Sequence, residues 1–406
     1  MTSATEYKVP SSTAPALAGY SIIYFGNDWS AENRTSSHHI AQRLAARVPL
    51  LYVEVPGLRA PKASGRDIRK LWRKLKQAFR APRAIGEQMW CITMPQLPFR
   101  RWAAVRTINR LLGLYLVRRA AQSLRFEAII SWFVVAHASA LAGALSEDLI
   151  VYYCTDSYAS FPDVDSREVA RMDEDLTRRA ALVFVSSSTL IGPKRELNSF
   201  VVHSPHGVDV DLFKQASNPD FQETESARSL KPPVIGFFGL IEAWIDLDLI
   251  AFLAKSRPAW TFLLVGRVAV DLGELLHLPN VVFAGPQKYE DLPRWAKVFD
   301  VAIIPYRLTE QVLHANPLKL REYLATGKPV VTVSTPVIEQ FRDYVTIASS
   351  PEEFLIGIER ALAQDVESHK IRRISAVADM SWDRRTEEVL AVVEQRLSEV
   401  ISASRR

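Results

Sequence analysis

Apolar residues along this chain gather into short unbroken runs, each separated from the next by a stretch of helical pattern. "SIIYFG" (21–26), "VPLLYVEV" (48–55), "AIISWF" (128–133), "LIVYYC" (149–154), "ALVFVS" (181–186) and "SFVVHS" (199–204) occupy the first half. "PVIGFFG" (233–239), "WTFLLVG" (260–266), "NVVFAG" (280–285), "DVAIIP" (300–305) and "KPVVTVS" (328–334) occupy the second. Continuous rather than alternating runs are expected of parallel strands buried on both faces. Strand–helix alternation repeated this often predicts an α/β class with doubly wound sheets. The polar segment 214–233 holds no apolar run and reads as a linker. Two Rossmann-like domains are therefore expected, 1–213 and 234–380, facing across a cleft at the carboxyl ends of their strands. The amphipathic segment 381–406 predicts a long helix that packs back on the first domain.

One stretch, "HANPLKLREYLATGKPVV" (314–331), carries the most chemistry per residue. Asn316 is suited to an N-cap, Pro317 to the first helical position and Gly327 to the left-handed residue that ends a helix. A helix over about 317–325 follows. Its free amides and dipole make an anion site. Lys319 adds a cation in the first turn, and Glu322, three residues on, shares its face. A cation beside an amide-rich helix end suits a diphosphate, and a carboxylate one turn deeper suits sugar hydroxyls. A plain, well-capped core helix with a surface Lys–Glu pair would show the same caps.

Composition narrows the classes. The 406 residues exceed one ordinary core. Cys91 and Cys154 are the only cysteines, so neither a disulfide framework nor a zinc cluster is expected, and a reducing cytoplasm fits. The first twenty residues lack a charged region followed by an apolar one, so no signal peptide is expected. No run is long enough to span a bilayer as a helix. No GxGxxG or GxxxxGK occurs, which argues against dehydrogenases and P-loop enzymes.

The string "NPLKLREYLATGKPVV" resembles the donor-binding segment of the GT-B glycosyltransferases, a group that includes the large retaining family four. "HGVD" (206–209) and "GFFGLIEAWIDLDLI", beginning at Gly236, are similar to other signatures of that group, and the resemblance covers nearly the whole chain. It implies a nucleotide-sugar donor, a UDP-sugar, held by the second domain, and an acceptor held by the first. It also implies that Lys319 binds phosphate, Glu322 the ribose, and Gly239 lets the backbone approach the donor, with Asn316, Pro317 and Leu318 opening the donor helix. Retaining members usually carry a second Glu eight residues before the helix Glu; here His314 stands there. The common lysine of the glycine loop is missing, and Arg267, at the end of "FLLVGR", could supply its charge. A weaker resemblance links "IPYRLTEQVLHANPLKLREY", with Tyr306 and Lys319, to the inverting glucuronosyltransferase of xanthan assembly. "NRTSSHHIAQRLA" (33–45), with Arg34 and His38, is similar to that enzyme's first helix. The same resemblance implies that Asp156, in "TDSYASFPD" after the strand "LIVYYC", is the base. A carboxylate at a strand's carboxyl end could take the acceptor's proton, or it could make a local turn bond. His38 could join it or be structural.

The segment 59–83 holds ten Lys and Arg against one acid, Asp67. Ile68, Leu71, Trp72, Leu75 and Phe79 follow helical spacing on one side, with Arg69, Lys70, Arg73 and Lys74 around the other. That is the pattern of a helix lying in an anionic membrane surface, and the basic segment 100–119 adds to it. Nucleic acid is a poorer partner, because no stacking motif accompanies the charge. The expectation is a metal-independent, cofactor-free hexosyltransferase of bacterial surface polysaccharide assembly. It would be cytoplasmic and peripheral on the plasma membrane's inner face, with a lipid-linked saccharide acceptor. A GT-B sugar-nucleotide epimerase and a non-catalytic scaffold partner at the membrane are the alternatives.

Overall fold

The computed structural model describes residues 17–31, 34–57, 79–97, 102–162 and 164–405. They form two compact units. The first holds the described residues up to Ser30, Thr35–Pro205 and the chain from Asp383; the second holds Ala31, Arg34 and His206–Trp382.

In the first unit the strands are β1 (Tyr20–Gly26), β2 (Leu50–Glu54), β3 (Arg83–Gly86), β4 (Met89–Thr93), β5 (Ala128–Phe133), β6 (Leu149–Cys154), β7 (Leu182–Val185) and β8 (Val201–His203). They form one sheet in the order β3-β4-β2-β1-β5-β6-β7-β8. Every pairing is parallel except β3 with β4. The apolar runs of the sequence all became strands, the central ones buried because helices cover the sheet, while β8 at the far edge is only partly buried. The β3–β4 hairpin was not anticipated: polar positions interrupt its apolar residues, and exposed β3 lies at the sheet's edge. Aromatic rings lock the middle of the sheet. Tyr24 stacks on Tyr52 at 5.3 Å and on Trp132 at 6.1 Å, and Trp132 continues to Phe184 at 6.1 Å. Their hydroxyls are satisfied inside the core: Tyr24 donates to Ser37 O and Tyr153 to Ser204 O.

The longer helices of this unit are α1 (Ser36–Ala45), α2 (Ala103–Ser123) and α3 (Ser166–Arg179). In the second unit they are α4 (Leu247–Ser256), α5 (Leu318–Thr326), α6 (Pro351–Gln364) and α7 (Glu367–Val377). The last helix, α8 (Trp382–Ser404), belongs to the first unit from Asp383 on. Asp383 accepts from Arg43 Nε at 3.0 Å, Arg396 Nε donates to Ala181 O at 2.9 Å, and Val389, Val393 and Leu397 are buried.

The second unit carries β9 (Val234–Phe238), β10 (Thr261–Val265), β11 (Val281–Gly285), β12 (Val301–Ile304), β13 (Val330–Thr332) and β14 (Thr346–Ile347). Their order is β11-β10-β9-β12-β13-β14, all parallel. The chain builds outward from β9 to one side, then returns to β12 and builds to the other. The crevice outside the carboxyl ends of β9 and β12 is therefore this sheet's topological switch point, where ligands bind in open α/β sheets. The compact division falls after Pro205 rather than after residue 213. Phe213, expected in the first domain, stacks on Phe238 at 5.8 Å, and within the segment expected as a linker Ala216 and Ala227 are buried in short helical turns of the second unit. Its polarity misled because single small apolar residues, not a run, carry its packing.

Candidate active site

At the second unit's switch point three elements converge through two glycines. Gly239 follows β9 with φ 133°, and Gly266 follows β10 with φ 148°. A Cβ on Gly266 would lie 1.9 Å from the Gly239 carbonyl oxygen. A Cβ on Gly239 would lie 2.1 Å from Lys319 Cε and 2.5 Å from its Nζ. Only glycine adopts these conformations at low cost, and only glycine leaves the lysine its path. Lys319 thus crosses the end of β9, its ammonium 5.6 Å from the Phe237 ring centre.

The helix that carries Lys319 starts one residue later than expected. α5 begins at Leu318, Pro317 is the extended residue before it, and no side chain caps it. Asn316 is not the cap: its Oδ1 accepts from Arg321 Nη1 at 2.6 Å, and both residues are buried. The reason is competition, since a guanidinium makes a stronger, charge-assisted bond to the amide oxygen than a backbone N–H does. The leading amides of α5 are therefore not occupied by that side chain. Gly327 ends the helix in the left-handed conformation, φ 75°, with Arg373 Nε on its carbonyl at 2.9 Å.

Glu322 lies one turn beyond Lys319 and is buried. Burial pushes its carboxyl up to about 7; Lys319 pulls it down, Asp209 pushes it up, and a bond from the Tyr289 hydroxyl pulls it down. Asp209 closes the "HGVD" string. Its field at Glu322 places the end of that string beside α5, a proximity that the sequence alone did not show. Glu242, in the loop after β9, is also buried, and its Oε1 accepts from Ala243 N at 3.3 Å. A single acid in a loop has no periodic spacing, so its burial leaves no mark in the sequence. Tyr306 follows β12, is buried, and bridges to Ile245 of the same loop. Arg267 is exposed, and its carbonyl accepts from Ile241 N at 2.9 Å. His314 ends the short helix Glu310–His314, and its Nδ1 is buried with no hydrogen-bond partner among the described residues.

In the first unit, Asp156 follows β6 at the sheet's carboxyl end. Burial pushes its carboxyl up to about 7. Its neighbour Thr155 is fixed by Tyr158, Oγ1 to hydroxyl 2.7 Å, and by Ser186 on its carbonyl at 2.6 Å. His38 is fully enclosed. Its Nδ1 meets Thr35 N at 3.1 Å and Thr35 Oγ1 at 2.9 Å, and its Nε2 meets Asp28 O at 2.9 Å. Both ring nitrogens thus serve the start of α1 and the loop after β1.

Of the proposed membrane residues, Ile68, Arg69, Lys70, Leu71, Trp72, Arg73, Lys74 and Leu75 lie outside the described residues. Phe79 is described and exposed, its ring 6.4 Å from Tyr115 of α2. No helix among the described residues is long and apolar enough to cross a membrane. Among them, too, no group of three or more His, Cys, Asp or Glu could hold a metal ion.

Residues 232–364 match the family model of the glycosyl transferases group 1. Over 385 residues the chain is 26% identical to a Bacillus subtilis (strain 168) protein named as a teichuronic acid biosynthesis glycosyltransferase, TuaH; the match covers 89% of this chain and 94% of that one. HepE of Anabaena, solved in complex with UDP and glucose, superposes with a TM-score of 0.59 at 16% identity over 94% of this chain and 99% of that one. The sucrose-phosphate synthase of Thermosynechococcus elongatus superposes with a TM-score of 0.69 at 12% identity, covering 94% and 100%. The likeness to these structures lies in the two-domain fold.

Proposed function

We propose that this chain, a glycosyltransferase of the GT-B fold, moves a hexosyl group from a UDP-sugar to a saccharide acceptor during assembly of a bacterial cell-surface polysaccharide. The observation that carries the donor site is the convergence of Gly239, Gly266 and Lys319 at the switch point of the second sheet. Lys319 and the leading amides of α5 face the diphosphate and stabilise it as it leaves with a growing charge. Glu322 accepts from the ribose hydroxyls, and Tyr306 and Arg267 border the same crevice. For a direct displacement with inversion, Asp156 takes the proton of the attacking hydroxyl. A carboxyl raised to about 7 is a stronger base than an ordinary one and is still substantially ionised near neutral pH. His38 holds the loop after β1 in place rather than touching substrate.

The acceptor is lipid-linked, and the enzyme works at the cytoplasmic face of the plasma membrane through its basic 59–83 segment and α2. Support comes from the one-sided charge of that segment and the apolar residues that α2 leaves exposed. Incubation with a panel of nucleotide sugars and a lipid-diphosphate saccharide, followed by mass spectrometry and NMR of the product anomer, tests all of this. UDP release with growth of the acceptor is expected. Tight UDP binding with no transfer from any donor would turn the assignment to a scaffold protein.

A further inference from the structure

The turn after β6, residues 155–161, is tied down by its own side chains and one neighbour. Ser186 Oγ donates to the Thr155 carbonyl at 2.6 Å, the Thr155 and Tyr158 hydroxyls meet at 2.7 Å, and those of Ser157 and Ser160 meet at 2.9 Å. The Asp156 carboxylate stands outside this network. Half-buried, it accepts no hydrogen bond and pairs with no cation among the described residues, yet neither of its oxygens is shut off from water. A donor arriving from solution can therefore reach it.

Two aromatic side chains share the turn. Tyr158 and Phe161 pack with ring centres 5.4 Å apart. Tyr24, Tyr52, Tyr152 and Tyr153 of the strands are each at most 1% exposed, as core packing demands. Tyr158 and Phe161 instead keep part of their surface in water. A pyranose ring has the matching chemistry: C–H bonds on its faces and hydroxyls around its rim. Its face loses water against an aromatic ring while a rim hydroxyl donates to a carboxylate.

Charge narrows the class. Burial alone raises the Asp156 carboxyl, and no cation pulls it back. Lys194, whose charge is felt at Cys154 on the same strand end, is taken by Asp173 and by Thr177 Oγ1 at 2.9 Å. An acid group on the bound ring would bring a second negative charge into a half-buried place with nothing to balance it.

We infer that this turn seats an uncharged pyranoside of the acceptor, with Tyr158 and Phe161 against one ring face and Asp156 accepting from a rim hydroxyl. In its biological role this rests on the transferase reading above, and it narrows the sugar that receives the new bond to a neutral one. The seat itself can be measured with no donor present. Saturation-transfer NMR on the full chain would use methyl β-glucopyranoside as neutral probe and methyl β-glucuronide as acidic probe. UDP calorimetry and thermal melting would run in parallel.

The neutral glycoside should take up saturation mainly on the protons of one ring face, and the glucuronide at least threefold less. Phe161→Leu, which keeps apolar bulk without a ring, should cut the neutral signal at least threefold, and Phe161→Trp should restore it. Asp156→Asn should raise the glucuronide to the level of the neutral probe, an effect that a merely structural role would not produce. Unchanged melting curves report that the variants are folded. Absence of saturation of either probe at millimolar concentration overturns the proposal. A wild type that binds both probes equally or prefers the glucuronide overturns it too, as does binding indifferent to Phe161→Leu and Asp156→Asn. Failure of the wild type to bind UDP would instead sink the transferase reading and leave the sugar seat standing.

Discussion

Gly239 and Lys319 depend on each other: the lysine reaches the crevice only because the glycine has no Cβ. Lys319→Ala should weaken UDP binding by about 1.5–3 kcal/mol, the worth of one charge-assisted contact. Calorimetry with UDP decides, and unchanged affinity in a folded mutant would end the donor-site assignment. Gly239→Ala should do comparable damage with the lysine still present, because the new methyl displaces its side chain and strains a φ of 133°. Glu322→Gln should weaken UDP more than inorganic diphosphate, since the carboxylate is assigned to the ribose; equal losses would show a different role. Asp156 links to pH. Its folded pKa lies above its unfolded value, so the stability it contributes is present below about pH 4 and lost as pH rises through about 7. Asp156→Asn should therefore raise the melting temperature more at pH 8 than at pH 5. Wild-type transfer should climb through the same window as the base ionises, and the mutant should lose about 10²–10⁴ in rate while still binding UDP. A flat pH profile with a fully active mutant removes Asp156 from the mechanism.

At the scale of elements, α2 is the least conventional helix of the first unit. It leaves Ile108, Leu111 and Tyr115 exposed at spacings of three and four, on one stripe, with Phe79 close to Tyr115. Arg118 and Arg119 flank that stripe, while Arg106 and Arg110 lie toward the other side of the helix. An apolar stripe edged by cations suits the headgroup region of an anionic bilayer. Binding to phosphatidylglycerol-containing vesicles should fall steeply as salt rises, because each cation near the surface is worth about 1 kcal/mol and is screened. Leu111→Ser with Tyr115→Ser should weaken binding even at low salt and leave UDP affinity unchanged. A wild type that ignores vesicles would point to a soluble acceptor instead.

At the scale of the whole molecule, α8 is the element that spends the last of the chain on the first unit. It buries Val389, Val393 and Leu397 and ties Arg43 and Arg396 to the sheet's helices and loops. Each such apolar side chain is worth about 1.5–3 kcal/mol when buried, so their sum rivals the net stability of an ordinary domain. Removal of residues 383–406 should unfold the first unit while UDP still binds, because Gly239, Lys319 and Glu322 all lie in the second. Thermal melting by circular dichroism alongside UDP calorimetry checks both halves; a truncated chain that melts like the full one refutes the packing role.

The sheets were legible in the sequence because buried parallel strands need unbroken apolar runs, and every such run became a strand. Helix α5 was legible because Lys319, Glu322 and Gly327 owe their positions to local spacing along one helix. What depended on distant partners was not. Asn316 reads as a cap until Arg321 is seen to occupy its oxygen. Asp209 and Glu242 are ordinary acids in the string, and only folding brings one to the field of Glu322 and buries the other. His38 is a histidine like its neighbour until Thr35 and Asp28 take both its nitrogens. Periodicity and spacing fix what a segment can become; burial, and which polar group finds which partner, are settled only when the segments close on one another.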